Sequence, residues 1–229
     1  MPKSTRKSPI VVRRRASRLE PDTRRAQILA CAIRAISRTG AHKSTAATVA
    51  REAGVSEATV FKYFPDKRSL TLAVIGELGA HFQSIFDRIE SRGDKAIDVL
   101  VDYAVAYTAE LDREPAYARL LLDQGAALLD PSLRQIIESN VTRMVHRIEK
   151  AIRRGIDEGS IPVEVDPEVA AWAYVGFYTV IAQAKVFGRP AEWIFRLQLT
   201  LLQGLIGKRV EPARFMPATV QASAKGANR

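Results

Sequence analysis

The chain has 229 residues, 47% of them apolar, which excludes a chain too polar to close around a core. Its single cysteine, Cys31, excludes an internal disulfide and fits a reducing compartment. Ile10-Val11-Val12 is too short for a secretory signal and no apolar run reaches the ~20 residues of a membrane span, so the expected location is cytoplasmic. The formal charge of +10 is unevenly spread: residues 1–68 hold 16 Lys/Arg against 5 Asp/Glu, residues 69–207 hold 14 against 19, and residues 208–229 hold 5 against 1. A basic end on an acidic body is the footprint of a protein that meets a polyanion at one end; a basic tail kept for solubility is the plainer alternative.

Residues 1–20 carry Pro2, Pro9 and Arg13-Arg14-Arg15 without an apolar period, and read as a flexible basic arm. A helix is predicted from Asp22, as its cap, to about Thr39, on the stripe Ile28, Leu29, Ala32, Ile33 and Ile36, with Gly40 ending it. Two short helices follow at about 46–53 and 57–63, closed by Pro65. Asp66 caps a long helix to about Glu90 whose apolar positions are Leu70, Val74, Leu78, Phe82, Ile85 and Ile89. Further helices read at about 94–112, 115–129, 132–158, 167–187 and 190–206, separated by Pro115, Asp130-Pro131, Gly159, Asp166-Pro167 and Gly188 with Pro190. No stretch alternates with a period of two. Residues 208–229 read as a loose tail. The fold class is therefore all-α, divided into an arm (1–20), a head (21–66), a helical body (67–207) and the tail.

The stretch that carries chemistry is residues 45–64. A helix-turn-helix needs a small residue where its second helix crosses the first, and Ala50 is there. It needs a residue tolerant of positive φ in the turn, and Gly54 is there. Val60 packs the second helix back onto the first beside Val49 and Val55, and Ser56 is a good cap for that helix. A plain helical hairpin is the alternative for such a window.

Residues 24–75 resemble the DNA-binding region of the TetR family of bacterial repressors. The resemblance rests on Arg25, Ile28-Leu29, Gly40, Thr45, Val49-Ala50, Ala53-Gly54-Val55-Ser56, Val60-Phe61-Lys62-Tyr63-Phe64, Lys67 and Leu70. The helix count after residue 66 agrees with that family in architecture. The chain departs from the family's pattern at Phe61, where a Tyr is usual, and at Ala47, Thr48 and Glu57.

The resemblance implies a homodimer on a double-stranded DNA operator, released by a small-molecule effector. Ser56, Glu57, Ala58 and Thr59 would meet base edges in the major groove, with Phe61, Lys62 and Tyr63 at its wall. Glu57 could accept from a cytosine amino group, or be an acid that answers the helix dipole and touches no base. Thr45 and Lys67 are placed for phosphate contacts, and Arg13, Arg14 and Arg15 for an adjacent groove.

Elsewhere the signals are sparse. His146 and Glu149 have a spacing that could put two ligands on one helix face, but such a pair is more often solvated, and no metal or cofactor is expected. Cys31 falls among apolar neighbours and reads as core. There is no phosphate loop, nucleophile elbow or paired-Cys motif, so an enzyme is not expected. Tyr103 and Tyr107, four apart on one helix, and Tyr174 and Tyr178, four apart on another with Trp172 and Phe177 near them, are the signal for a ligand pocket in the body; ordinary core packing explains each of them equally well. The dimer interface is expected on the last two helices, with Ile194, Leu197, Leu201 and Leu205 as one stripe of the last and Gln198 and Leu202 alongside it. The rival functions are an effector-independent DNA-binding protein acting through protein partners, and an enzyme with a helical catalytic body.

Overall fold

Helix caps set most of the chain's elements. In the computed structural model, which describes residues 20–39, 44–127 and 130–206, nine helices follow one another and no strand is found among the described residues. The first, α1 (Pro21–Thr39), starts with its proline at the first helical position, where the missing N–H costs nothing. Its first intrahelical bond runs from Arg24 N–H to the Glu20 carbonyl at 2.9 Å, so Glu20 is the cap, and Asp22, expected in that place, is an acid of the first turn. Gly40 lies outside the described residues.

α2 (Ala46–Ala53) and α3 (Glu57–Tyr63) have the predicted bounds. α4 (Lys67–Glu90) opens on a reciprocal cap: Ser69 N–H donates to Asp66 Oδ1 at 2.6 Å, and Asp66 N–H donates to Ser69 Oγ at 3.2 Å. α5 (Ala96–Arg113) and α6 (Pro115–Ala127) follow. α7 (Pro131–Asp157) and α8 (Pro167–Val186) each combine an Asp cap with proline in the first turn. α9 is Ala191–Ile206.

α1 packs on α2 and, on its other side, on α4 and α6, so the N-terminal helices are not a detached unit. α7 lies against α4, α5 and α8 and is the spine of the body. The α4–α7 crossing is close. Asn140 Nδ2 donates to the Ile75 carbonyl at 3.2 Å, and a Cβ on Gly79 would fall 2.3 Å from the Asn140 amide. A side chain at Gly79 would therefore displace the Asn140 amide from its bond to Ile75.

On α9 the expected stripe divides between the core and its margin. Ile194, Gln198 and Leu202 face inward, whereas Leu197 and Leu201 are only partly buried at the margin. The cause is Gln198, whose amide donates to the Ala104 carbonyl at 2.8 Å and to Thr108 Oγ1, giving a polar side chain a buried place in the seam. The Leu205 side chain lies outside what is described. No described helix is long and apolar enough to cross a membrane.

Candidate functional site

The head is held by its caps and one turn. Thr45 Oγ1 accepts from Thr48 N–H at 3.2 Å and starts α2. Gly54 ends it at φ 65°, ψ 33°, the left-handed conformation that residues with a Cβ resist. Val55 N–H then returns to the Ala50 carbonyl at 2.9 Å, and Ser56 Oγ accepts from Thr59 N–H at 3.2 Å to start α3. Val60, Val49 and Ala50 are buried where the helices meet, and Phe64 is buried beneath the end of α3 with the Arg25 guanidinium 5.0 Å above its ring.

What α3 turns outward is Ser56, Glu57, Ala58, Phe61 and Lys62; Thr59 and Tyr63 are half-buried. Phe61 is 44% exposed, a large apolar side chain left partly in water. The Ser56 and Thr45 hydroxyl oxygens are engaged as caps, and each hydroxyl also shares a hydrogen bond with the threonine three residues on, Thr59 Oγ1 at 2.9 Å and Thr48 Oγ1 at 3.1 Å. Glu57 is an exposed first-turn acid, so base contact and dipole role both remain open to it. Lys67 opens α4 beside this surface. Arg13, Arg14 and Arg15 lie outside the described residues.

Three charges of the head serve its assembly. Glu52 on α2 accepts from Arg34 at 3.3 Å and from Arg38, both on α1, and the Arg38 contact above all holds its carboxyl below the usual range. This clamp is invisible in sequence because its partners are 18 and 14 residues away. Arg51, exposed in the last turn of α2, is a further basic group next to the turn, and its position on the outer side of α2 was the only signal for it.

The body contains a cavity of about 130 Å³ lined from α4, α5, α6, α7 and α8. Tyr103 and Tyr107 line it, as do Phe82 and Tyr178. Trp172 and Phe177 do not: Trp172 is 49% exposed on the outer side of α8, and Phe177 is buried in the core away from the cavity wall. Burial pushes the Tyr103, Tyr107 and Tyr178 phenols well up, so all three are neutral donors at physiological pH. His146 and Glu149 are 4.0 Å apart with the histidine in solvent, and no group of metal-ligating side chains is found among the described residues.

The family profile "Bacterial regulatory proteins, tetR family" matches residues 28–74, the segment that contains α2, the Gly54 turn and α3. Over those residues the chain carries a tetR-family domain. It is 32% identical over 133 residues to the HTH-type transcriptional regulator HbdR of an Aromatoleum strain, covering 58% of this chain and 57% of that one. It is 25% identical over 169 residues to the nucleoid occlusion factor SlmA of a Marinomonas strain, covering 71% and 81%. The fold extends over the body as well. The FadR regulator of Bacillus subtilis, solved in complex with stearoyl-CoA, superposes with a TM-score of 0.67 at 19% identity, over 81% of this chain and 99% of that one. TetR-family chains are DNA-binding transcription regulators, not enzymes.

Proposed function

We propose that this chain is a homodimeric repressor of the TetR family whose head, residues 21–66, holds an operator until a small molecule enters the body, residues 67–207. The observation that carries the reading is the placement of α4. Its first residue, Lys67, adjoins the head, and its middle contributes Ile75, Leu78, Gly79, Phe82 and Gln83 to the cavity wall. A guest that displaces that wall moves the helix that carries the head. Two recognition helices in a dimer must sit about 34–36 Å apart to enter successive major grooves, so a tilt of α4 in each copy weakens both contacts at once. In contact with DNA, Ser56, Glu57, Ala58 and Thr59 face the bases, Phe61, Lys62 and Tyr63 the groove wall, and Thr45 and Lys67 the phosphates. The basic arm, Arg13 to Arg15, adds charge that fixes no sequence.

The dimer reading rests on α8. Val169, Trp172, Val180 and Phe187 are 64, 49, 43 and 76% exposed, and their spacing of three, eight and seven residues keeps them on one side of the helix. Exposed apolar stripes of this length mark contact surfaces. The outward positions of α9, Glu192, Arg196 and Thr200, are polar, so α8 supplies the apolar part of the interface.

An effector-independent DNA-binding protein would need no cavity beside α4. The experiment that separates the two readings is fluorescence anisotropy on the bound operator, repeated across a metabolite panel. At least one compound is expected to release the DNA, and an operator affinity indifferent to every compound would favour the effector-independent reading.

A further inference from the structure

The cavity has room for one ring, since about 130 Å³ is close to the roughly 150 Å³ that takes benzene. None of its described lining residues carries a charge. Arg147 is the cation beside the wall, and Asp87 at 2.5 Å and Glu90 at 3.0 Å already match it. A charged guest would lose its hydration and gain no counter-ion.

Two amides interrupt the apolar lining, Gln83 on α4 and Asn140 on α7, and their partners fix which way each points. Arg147 Nη1 donates to Gln83 Oε1 at 3.1 Å. A guanidinium has donors only, so the amide oxygen must face it and the NH2 group must face away. Gln83 is 8% exposed, and its NH2 group meets no acceptor among the described residues, yet it is not sealed off as the Tyr178 hydroxyl is. Asn140 Nδ2 donates to the Ile75 carbonyl at 3.2 Å. A carbonyl only accepts, so the Asn140 oxygen is the end left free. The wall therefore offers one donor and one acceptor. A nearly buried NH2 group without an acceptor is costly, and a guest that brings one removes that cost.

The two amides are neighbours. The Asn140 amide lies 2.3 Å from the place a Cβ on Gly79 would take, so it rests against α4 at that residue. Gln83 is four residues further on, one turn along the same face, about 5–6 Å away. A carboxamide reaches across such a gap, with its oxygen towards Gln83, its NH2 towards Asn140 and a hydrogen bond of about 2.9 Å on each side.

We infer that the cavity takes an uncharged single-ring amide, with the Gln83 NH2 group donating to its carbonyl and the Asn140 oxygen accepting from its N–H. The aromatic wall, where Tyr107 and Tyr178 stack at 4.0 Å and Phe82 lies 4.6 Å from Tyr107, covers the ring. This deepens, and rests on, the reading of the body as an effector site.

The test is calorimetric titration of the full chain with four probes of similar size. Benzamide brings both polar groups, acetophenone the acceptor alone, ethylbenzene neither, and benzoate a charge. Benzamide is expected to bind about tenfold more tightly than acetophenone, the worth of one hydrogen bond, and benzoate not to bind. Asn140→Leu is expected to weaken benzamide to the level of acetophenone and to leave acetophenone unchanged. Gln83→Met is expected to weaken both about tenfold. Ethylbenzene is expected to bind parent and variants alike, which shows the cavity intact in each. In the parent alone, acetophenone equal to benzamide, benzoate as tight as benzamide, or no benzamide binding at millimolar concentration would overturn the inference, and so would an unchanged benzamide affinity in either variant. Heat of binding is read without DNA. Benzamide that binds as expected but leaves the operator in place upholds the recognition by Gln83 and Asn140 and contradicts the effector reading alone.

Discussion

Arg68, the second residue of α4, grips Asp130, the cap of α7, with a two-pronged bond: Nε donates to Oδ2 at 2.6 Å and Nη2 to Oδ1 at 3.0 Å. The same Nη2 reaches Ser132 Oγ at 2.6 Å. Asp130 Oδ1 meanwhile accepts from Ser132 and Leu133 N–H and starts α7. One carboxylate thus ties the end of α4 nearest the head to the helix that carries Ile137, Asn140, Val141 and Met144 into the cavity wall. The Arg68 guanidinium first, then the two N–H donors, pull its carboxyl down to about 2.

Asp130→Asn separates the two duties, because Asn caps a helix as well as Asp but cannot hold the guanidinium as an ion pair. Helix content by circular dichroism is expected to stay the same while operator affinity changes in the absence of any ligand. Its pH signature has a defined sign. A carboxyl whose folded-state value is lowered contributes stability above its unfolded value near 4, and loses it as pH falls towards 2. The stability gap between parent and variant in urea titrations is therefore expected to be constant above about pH 5 and to narrow below pH 4. A gap that widened on acidification would contradict the assignment.

Gly54→Ala isolates the cost of the turn. No atom lies within 4 Å of the place a Cβ would occupy, so the whole effect is the left-handed backbone, roughly 1–2 kcal/mol. Gly54→Asn is expected to cost less, since Asn tolerates that conformation, and Gly54→Val more. Thermal melts give the order Gly, Asn, Ala, Val, with operator affinity falling in the same order; an Ala variant as stable as the parent would contradict it.

Removing Arg13, Arg14 and Arg15 tests the arm. Each phosphate neutralised contributes about −0.9 to the slope of log K against log salt, so loss of three contacts makes the slope shallower by about 2.7. An unchanged slope would remove the arm from the interface.

Val180→Glu puts a charge in the middle of the exposed α8 stripe while leaving the monomer core untouched, which Leu201 at the margin of that core would not allow. Sedimentation is expected to show a monomer with full helix content. Operator affinity is expected to fall about 100-fold or more, because the second half-site is no longer bound at high effective concentration. A dimer that survives this change would move the interface elsewhere.

Much of the fold was legible because local chemistry and period agreed. Asp66, Asp130 and Asp166 announce helix starts by themselves, and Gly54 with Ser56 announces the turn. What sequence could not supply was the covered side of an apolar helix. Trp172 and Tyr178 sit on the same α8, yet one faces solvent and the other the cavity, and only the positions of α5 and α7 decide which. The inward turn of Gln198 on α9 was out of reach for the same reason: its partners Ala104 and Thr108 are 94 and 90 residues away. The cavity itself needs five helices to converge, and no window of sequence contains it.

The claim that α3 reads DNA as one of a symmetric pair is tested most directly by selection of the purified protein on a pool of random duplexes. The account predicts enrichment of an inverted repeat whose half-site centres lie about one helical turn, 10–10.5 base pairs, or a multiple of it apart. Substitution of Thr59 by Ala is expected to change the preferred bases within each half-site without changing the spacing. No enrichment, or a single site without symmetry, would contradict it.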